Sequence, residues 1–255
     1  MVYPHINPVL VHVGPFQIRW YGLMYVVGFV LAYVIMVHTA RRRRYGLDRE
    51  DIEDLLTYCI IGLILGARLG YCLVYNTPYY WNHPLEIVAV WEGGMSFHGG
   101  LVGVLLAGWV FSVKRDKSFW MLADLGSMAA PLGLFFGRVG NFINGELYGR
   151  VTHMPWGMIF PGAGPYPRHP SQLYEAFFEG IVLFLIVYRI GKRRLPHGVT
   201  FGCFLMAYGT IRFFLEFFRE PDSQLGFIMG LFTMGQLLCS IMIIFGVVLL
   251  KYRLK

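Results

Sequence analysis

The sequence has few charged residues: only 15% of its 255 residues are Asp, Glu, Lys or Arg, whereas 56% are hydrophobic. An ordinary soluble domain carries about a quarter charged residues, so this composition excludes that class. The mean hydropathy of +0.53 agrees. Apolar runs near the roughly twenty residues that cross a bilayer recur along the chain. The composition therefore indicates an integral membrane protein whose core is one helical bundle.

The sequence also lacks the usual patterns of metal, disulfide and secretory-signal chemistry. Its four cysteines lie inside apolar stretches without a C-x-x-C pair, where cysteine behaves as a small buried hydrophobe. No spacing of histidines and carboxylates forms a metal-ligand set. Residues 1–17 contain neither a basic n-region nor a cleavage site. We expect no disulfide, metal, cofactor or cleaved signal peptide.

Seven apolar segments alternate with polar ones. They cover residues 20–37, 55–74, 101–113 with several residues before it, 121–136, 174–188, 199–218 and 229–250. The longest polar excursion, residues 150–168, is rich in proline and glycine, which predicts an irregular loop. We therefore expect an all-α protein with about seven transmembrane helices. Residues 1–255 would form a single transmembrane catalytic domain with a short irregular outer loop near residues 150–170.

The positive charge is distributed by topology. Fifteen of the 22 Lys and Arg residues follow the first, third, fifth and seventh segments. The positive-inside rule then predicts an outer N-terminus and a cytoplasmic C-terminus. The net charge of +7 thus reflects membrane orientation, and nucleic acid is not an expected partner.

The remaining cations are all arginines, and topology does not explain them. Each falls in or near the predicted outer leaflet region, where a planar guanidinium can hold phosphate or carboxylate oxygens. They are Arg19, Arg68, Arg138, Arg150, Arg168, Arg212 and Arg219. The simplest common ligand is an anionic headgroup reached from the membrane.

Residues 137–149 place a cation, a carboxylate, two carboxamides and four glycines directly after an apolar segment. Such polarity is costly next to lipid and indicates a function. Arg212, Glu216 and Arg219 have the spacing of one helical face. Mutual neutralisation is the simple explanation of that trio, yet two arginines for one glutamate predict excess positive charge that an anion could use.

Several other residues have a structural and a functional explanation. His98 lies beside Gly99 and Gly100 at the outer end of a segment, so it could be an interfacial hydrogen-bonding residue, a general base or a phosphate donor. Tyr21 fits an interfacial aromatic belt. Ser171 and Glu175 fit the start of a helix. Three glycines spaced four apart, Gly62, Gly66 and Gly70, predict the close approach of another helix.

These motifs together resemble those of bacterial prolipoprotein diacylglyceryl transferases. Residues 137–149 match the signature of that family at every defined position. Residues 19–25 are similar to another family motif, with Arg19 in place of histidine. Residues 96–100, 168–175 and 208–219 follow in family order. The resemblance covers nearly the whole chain.

The resemblance implies transfer of the diacylglyceryl group of phosphatidylglycerol to the lipobox cysteine thiol of a preprolipoprotein, with release of glycerol phosphate. The implied location is the bacterial inner membrane, with the active site toward the outer leaflet. The implied catalytic residues are His98, Arg138 and Arg212, and the implied substrate-binding residues are Tyr21, Asn141, Glu146, Gly149, Tyr208, Glu216 and Arg219. The glycines of residues 137–149 would let the backbone leave the helix there.

Two other functions fit the arginines. An anion transporter or channel also carries intramembrane arginines, but it would line a path through both leaflets. A different phospholipid-headgroup transferase would share the arginines without needing a peptide thiol.

Overall fold

The computed structural model describes residues 1–14, 16–220, 227–228 and 232–255. Within these residues, five helices are long and apolar enough to cross a membrane. They are Trp20–Arg43, Arg49–Tyr75, Phe97–Lys114, Phe119–Asn144 and Met234–Arg253. A shorter apolar helix covers Val199–Leu215. The prediction of a mostly helical membrane protein is confirmed at this level.

The described elements are helices and two pairs of short antiparallel strands. The helices are α1 (Trp20–Arg43), α2 (Arg49–Gly70), α3 (Thr77–Asn82), α4 (Phe97–Lys114), α5 (Phe119–Asn144), α6 (Ser171–Glu175), α7 (Leu183–Gly191), α8 (Val199–Leu215) and α9 (Met234–Arg253). π-Helical turns at Tyr71–Tyr75 and Ala176–Val182 extend α2 and join α6 to α7. Strands β1 (Val9–Val13) and β2 (Phe16–Arg19) pair antiparallel, as do β3 (Phe227–Ile228) and β4 (Phe232–Thr233).

Two helix boundaries differ from the predicted ones, and a third cannot be compared. Helix α5 continues to Asn144 instead of ending near residue 136, so the first half of residues 137–149 is helical, and the backbone leaves the helix within this stretch at Gly145. A helix satisfies its own backbone groups inside a membrane, which favours its continuation until Gly145 adopts φ +67°. Helix α8 ends at Leu215, before Arg219. The predicted start of the last segment, residues 229–231, lies outside the described residues.

Residues 40–123 form one of two compact units, and close packing of α2 against α4 dominates it. A Cβ atom added to Gly62 would lie 2.5 Å from the carbonyl oxygen of Gly103, and one added to Gly70 would lie 2.7 Å from the Cα of Gly99. Only glycine permits so close an approach of two backbones. The predicted helix contact along this glycine row is confirmed.

Gly103→Ala is expected to destabilise the protein by about 1 to 3 kcal/mol, because the new Cβ would overlap the carbonyl oxygen of Gly62. Gly126→Ala is the matched control, since a Cβ there meets no described atom within 4 Å. Thermal unfolding of the two purified variants in detergent measures the effect. Equal midpoints for the two variants would contradict the close α2–α4 packing.

The other unit contains residues 1–39 and 124–255. Its buried apolar core joins Met128 of α5 to Leu183 and Val187 of α7, with side chains of α8 packed against them. The buried Asp124 carboxylate accepts hydrogen bonds of 2.8 Å from the backbone N–H groups of both Gly198 and Phe201. A carboxylate from α5 thus caps the N-terminus of α8. This packing fixes α5, α7 and α8 against one another.

Candidate active site

Two arginines and three glutamates form an ion-pair cluster in the unit of residues 1–39 and 124–255. Arg138 Nε lies 3.0 Å from Glu175 Oε2, and Arg138 Nη2 lies 3.8 Å from Glu179 Oε2. Arg212 Nη1 contacts Glu175 Oε1 and lies 3.3 Å from Glu179 Oε1. Arg212 Nη2 lies 2.9 Å from Glu216 Oε2. Glu175 and Glu179 therefore each bridge both arginines.

Helix geometry brings these five side chains together. Glu175 ends α6, and Glu179 follows four residues later in the π-helical turn, so the two carboxylates share a face. π-Helical turns within longer helices are frequent at functional sites. Arg138 comes from the last two turns of α5, and Arg212 comes from the last turn of α8. The core packing of α5, α7 and α8 thus places the cations beside the carboxylates.

The ion-pair cluster has more carboxylates than cations, whereas the sequence predicts a surplus of positive charge around Arg212. Three carboxylates face two guanidinium groups. Arg219 does not share a helical face with Arg212, because it lies beyond the end of α8. Its backbone instead forms an isolated antiparallel bridge with Gly149. The prediction that Arg212, Glu216 and Arg219 form a surplus of positive charge on one face is therefore wrong.

Sequence reasoning missed the roles of Glu175 and Glu179. The sequence explains Glu175 only as part of a helix start. In the structure, Ser171 is the first residue of α6, and its hydroxyl donates to the Leu147 carbonyl oxygen at 3.1 Å instead of capping the helix. A signal was present, since two carboxylates four residues apart in an apolar segment require cationic partners. The distant Arg138 and Arg212 are those partners.

A second polar group lies on α1 and the end of α5. The Asn141 amide donates to Glu146 Oε1 at 2.9 Å, and the Asn144 amide donates to the same oxygen at 3.1 Å. The Tyr21 hydroxyl lies 3.2 Å from that of Tyr25 and also interacts with Asn141. Because Asn141 follows Arg138 by three residues on α5, it lies near the ion-pair cluster's side of the helix. The structure therefore brings together three predicted site residues, Tyr21, Asn141 and Glu146.

Gly149 lies where backbone segments cross. Its N–H donates to the His169 carbonyl oxygen at 2.9 Å, and a Cβ there would overlap the carbonyl oxygen of Phe218. Beside it, Arg150 Nε donates to the Arg219 carbonyl oxygen at 2.8 Å. Glycine is therefore required at position 149 by backbone packing. Burial lowers the pKa of the neighbouring His169 ring, which lies 3.2 Å from the Tyr174 hydroxyl.

Two of the arginines assigned to a headgroup instead bind backbone carbonyls. Arg68 is 3% exposed and donates to the carbonyl oxygens of residues 86, 87, 93 and 94 at 2.5 to 3.3 Å. Arg168 donates to Ala163 and Gly149 and pairs with Glu220 at 3.0 Å. These contacts hold loops in place. The prediction that all seven arginines share one ligand is wrong for Arg68 and Arg168.

The last two predicted site residues lie in different units. Tyr208 stacks on Phe204 at 5.8 Å between ring centroids and interacts electrostatically with Glu179 and both arginines of the cluster. His98 belongs to residues 40–123, where it is the second residue of α4 and is exposed. Ser96 caps that helix by accepting from the Gly99 N–H at 3.2 Å. Tyr208 thus adjoins the ion-pair cluster, and His98 lies at a helix N-terminus.

The fold and the ion-pair cluster define a membrane protein with several candidate spanning helices and a cluster of two arginines and three glutamates among them. The chain belongs to the prolipoprotein diacylglyceryl transferase family, whose profile matches residues 8–252.

Relatives with the name phosphatidylglycerol–prolipoprotein diacylglyceryl transferase match almost the full length of the chain. The Geobacter sulfurreducens relative is 56% identical over 96% of this chain and 95% of its own. The Oleidesulfovibrio alaskensis relative is 52% identical over 99% of this chain and 95% of its own. The Photobacterium profundum relative is 48% identical over 100% of this chain and 96% of its own. The family resemblance noted in the motifs is confirmed.

Proposed function

We propose that this protein transfers the diacylglyceryl group of phosphatidylglycerol to the lipobox cysteine thiol of preprolipoproteins, the first step of bacterial lipoprotein maturation. A thioether forms and glycerol phosphate leaves. Family membership and the names of relatives at 56% and 52% identity support the reaction. The structural observation that carries it is a pair of arginines, the buried Arg212 and the partly buried Arg138, bridged by shared carboxylates.

The leaving group explains the arginines. Breaking the bond between the diacylglyceryl carbon and the phosphate oxygen concentrates negative charge on the phosphate, and fixed cations lower the energy of that transition state. Glu175 contacts both Arg138 and Arg212, so neither guanidinium needs to reorient when the charge develops. Glu216 holds the other edge of Arg212 and accepts from the Thr233 hydroxyl at 3.1 Å.

The second polar group would hold the rest of the headgroup. Phosphatidylglycerol carries hydroxyl groups that both donate and accept, and Tyr21, Asn141 and Glu146 offer matching partners. The hydrogen bond between Asn141 and Glu146 fixes both side chains before a ligand arrives. Tyr208 would complete the site beside the arginines, and the remaining matched residues, Gly149 and Arg219, would shape it through the backbone.

The attacking thiol needs to lose its proton, and His98 is the proposed base. His98→Gln is expected to lower the rate of transfer by about 10²- to 10⁴-fold and to change the dependence of the rate on pH, because glutamine cannot accept the thiol proton. Turnover of purified enzyme measured across pH tests this. His83→Gln, an exposed histidine of the same unit, is the control. Near-normal turnover of His98→Gln with an unshifted pH profile would contradict the base role.

We also propose seven membrane spans in the bacterial inner membrane, with an outer N-terminus and an active site toward the outer leaflet. The five long apolar helices support five spans, and the joined α6–α7 segment and α8 supply two more. The arginines at the end of α1 and the basic residues at the ends of α4 and α9 support this orientation.

The peptide mass test separates this function from the two others. Purified protein is incubated in detergent with phosphatidylglycerol and a lipobox peptide, and the peptide is weighed by mass spectrometry. The proposal predicts a gain of one diacylglyceryl group, which requires the cysteine and is absent from a serine peptide. A transporter would leave the peptide unchanged, and so would a headgroup transferase that needs no thiol. No mass gain would therefore overturn the proposal.

A further inference from the structure

Glu179 is the least compensated member of the ion-pair cluster. It is 0% exposed, and its two oxygens lie 3.3 and 3.8 Å from the nearest arginine nitrogens. Glu175, by comparison, lies 3.0 Å from Arg138 and also contacts Arg212. The Oε2 atoms of all three glutamates accept no hydrogen bond from a described residue. Those of Glu175 and Glu216 nevertheless lie 3.0 and 2.9 Å from an arginine nitrogen, whereas that of Glu179 lies 3.8 Å away. A fully buried carboxylate oxygen in that position is costly as an anion.

The surroundings of Glu179 contain too few cations for its charge. Described groups that interact with it include Arg138 from α5, Glu175 from its own helical segment, Arg212 and Tyr208 from α8, and Cys239 from α9. The third carboxylate on Arg212 is Glu216. Three anions would then face two cations among apolar helices, whereas one proton on Glu179 leaves two of each.

We propose that Glu179 is a neutral carboxylic acid in the resting enzyme, and that its O–H donates a hydrogen bond to a phosphate oxygen of the headgroup bound at Arg138 and Arg212. The inference rests on the proposed function, because that function supplies the phosphate. Protonation removes the surplus negative charge that would repel the phosphate. It also gives Oε2, which accepts no hydrogen bond from a described residue, a proton that it can donate to a ligand oxygen.

Infrared spectroscopy of the purified, substrate-free protein tests the protonation directly. A protonated carboxyl group has a carbonyl stretch well separated from the carboxylate bands. The wild-type spectrum at neutral pH is expected to contain such a band, and labelling of glutamate with ¹³C should shift it. Glu179→Gln should lose the band, whereas Glu50→Gln, which changes an exposed carboxylate, should keep it. A spectrum of labelled wild-type protein without the band would overturn the inference, whatever the variants do.

Two substitutions test the hydrogen bond to phosphate. Glu179→Leu, which removes the donor, is expected to lower kcat/KM for phosphatidylglycerol by about 10- to 100-fold. Glu179→Gln retains an uncharged N–H donor and should recover most of that loss. If Glu179 acts as an anion, Gln and Leu both remove its charge, and equal losses in the two variants would overturn the inference.

The outcomes distinguish this inference from the proposed function. The infrared measurement needs no substrate, so a missing band leaves diacylglyceryl transfer standing. If the band is present but the lipobox peptide gains no mass, the proposed function fails together with the phosphate contact, whereas the protonation of Glu179 stands.

Discussion

Arg212→Gln is expected to lower kcat/KM for diacylglyceryl transfer by at least about 10²- to 10³-fold. Arg212 reaches three carboxylates, Glu175, Glu179 and Glu216, so its loss removes a cation from the leaving phosphate and leaves three carboxylates to one arginine. Loss of one fixed donor to a developing oxyanion has an effect of this size. The measurement is the initial rate of peptide lipidation by purified variants.

Two further variants show that the geometry of Arg212 matters in addition to its charge. Arg212→Lys keeps the charge but offers a single compact ammonium, which cannot contact Glu175 and Glu216 through two edges as the guanidinium does. A large loss is expected there too. Arg189→Gln, an exposed arginine in the last turn of α7, should stay within about threefold of wild type. Wild-type rates for Arg212→Lys would contradict the bridging role.

Glu175→Gln is expected to lower kcat by about 10- to 100-fold, because an amide cannot make charge-assisted bonds to Arg138 and Arg212 at once. The two guanidinium groups would then lose their most direct bridge and the fixed spacing that the leaving phosphate needs. Initial rates at saturating phosphatidylglycerol measure this kcat.

Glu220→Gln is the matched control for Glu175→Gln. It also removes a carboxylate from an arginine, Arg168, but at an exposed position. Its rate should be close to that of wild type. A thermal unfolding midpoint for each variant separates loss of function from loss of fold. A folded Glu175→Gln protein with normal kcat would contradict the assignment of Glu175 to the site.

The membrane helices and part of the site could be predicted from the sequence. Hydropathy located the apolar segments because lipid demands long apolar helices with internally satisfied backbones. The signature residues and the motif around Arg212 identified the two arginines that the structure brings together. The glycine row on α2 predicted close helix packing, because glycines spaced four residues apart lie on one helix face and let another backbone approach it closely.

Pairings between distant residues could not be predicted in the same way. Glu175 and Glu179 meet Arg138 and Arg212 only because α5, the α6–α7 segment and α8 pack together. Depth in the membrane likewise did not distinguish the buried Arg68, which binds four backbone carbonyls, from an arginine able to hold a ligand. Charge patterns in the sequence identify charged side chains that are energetically costly to bury, whereas tertiary packing determines which residues pair with them.

The most direct test of the central claim measures both products of one reaction. Purified protein, phosphatidylglycerol and a lipobox peptide are combined, and the thioether peptide and free glycerol phosphate are quantified together. If the arginine pair holds the departing phosphate, wild-type enzyme should yield the two products in equal amounts, and Arg212→Gln should lose both. A lipidated peptide without an equivalent of glycerol phosphate, or undiminished formation of both products by Arg212→Gln, would contradict the account.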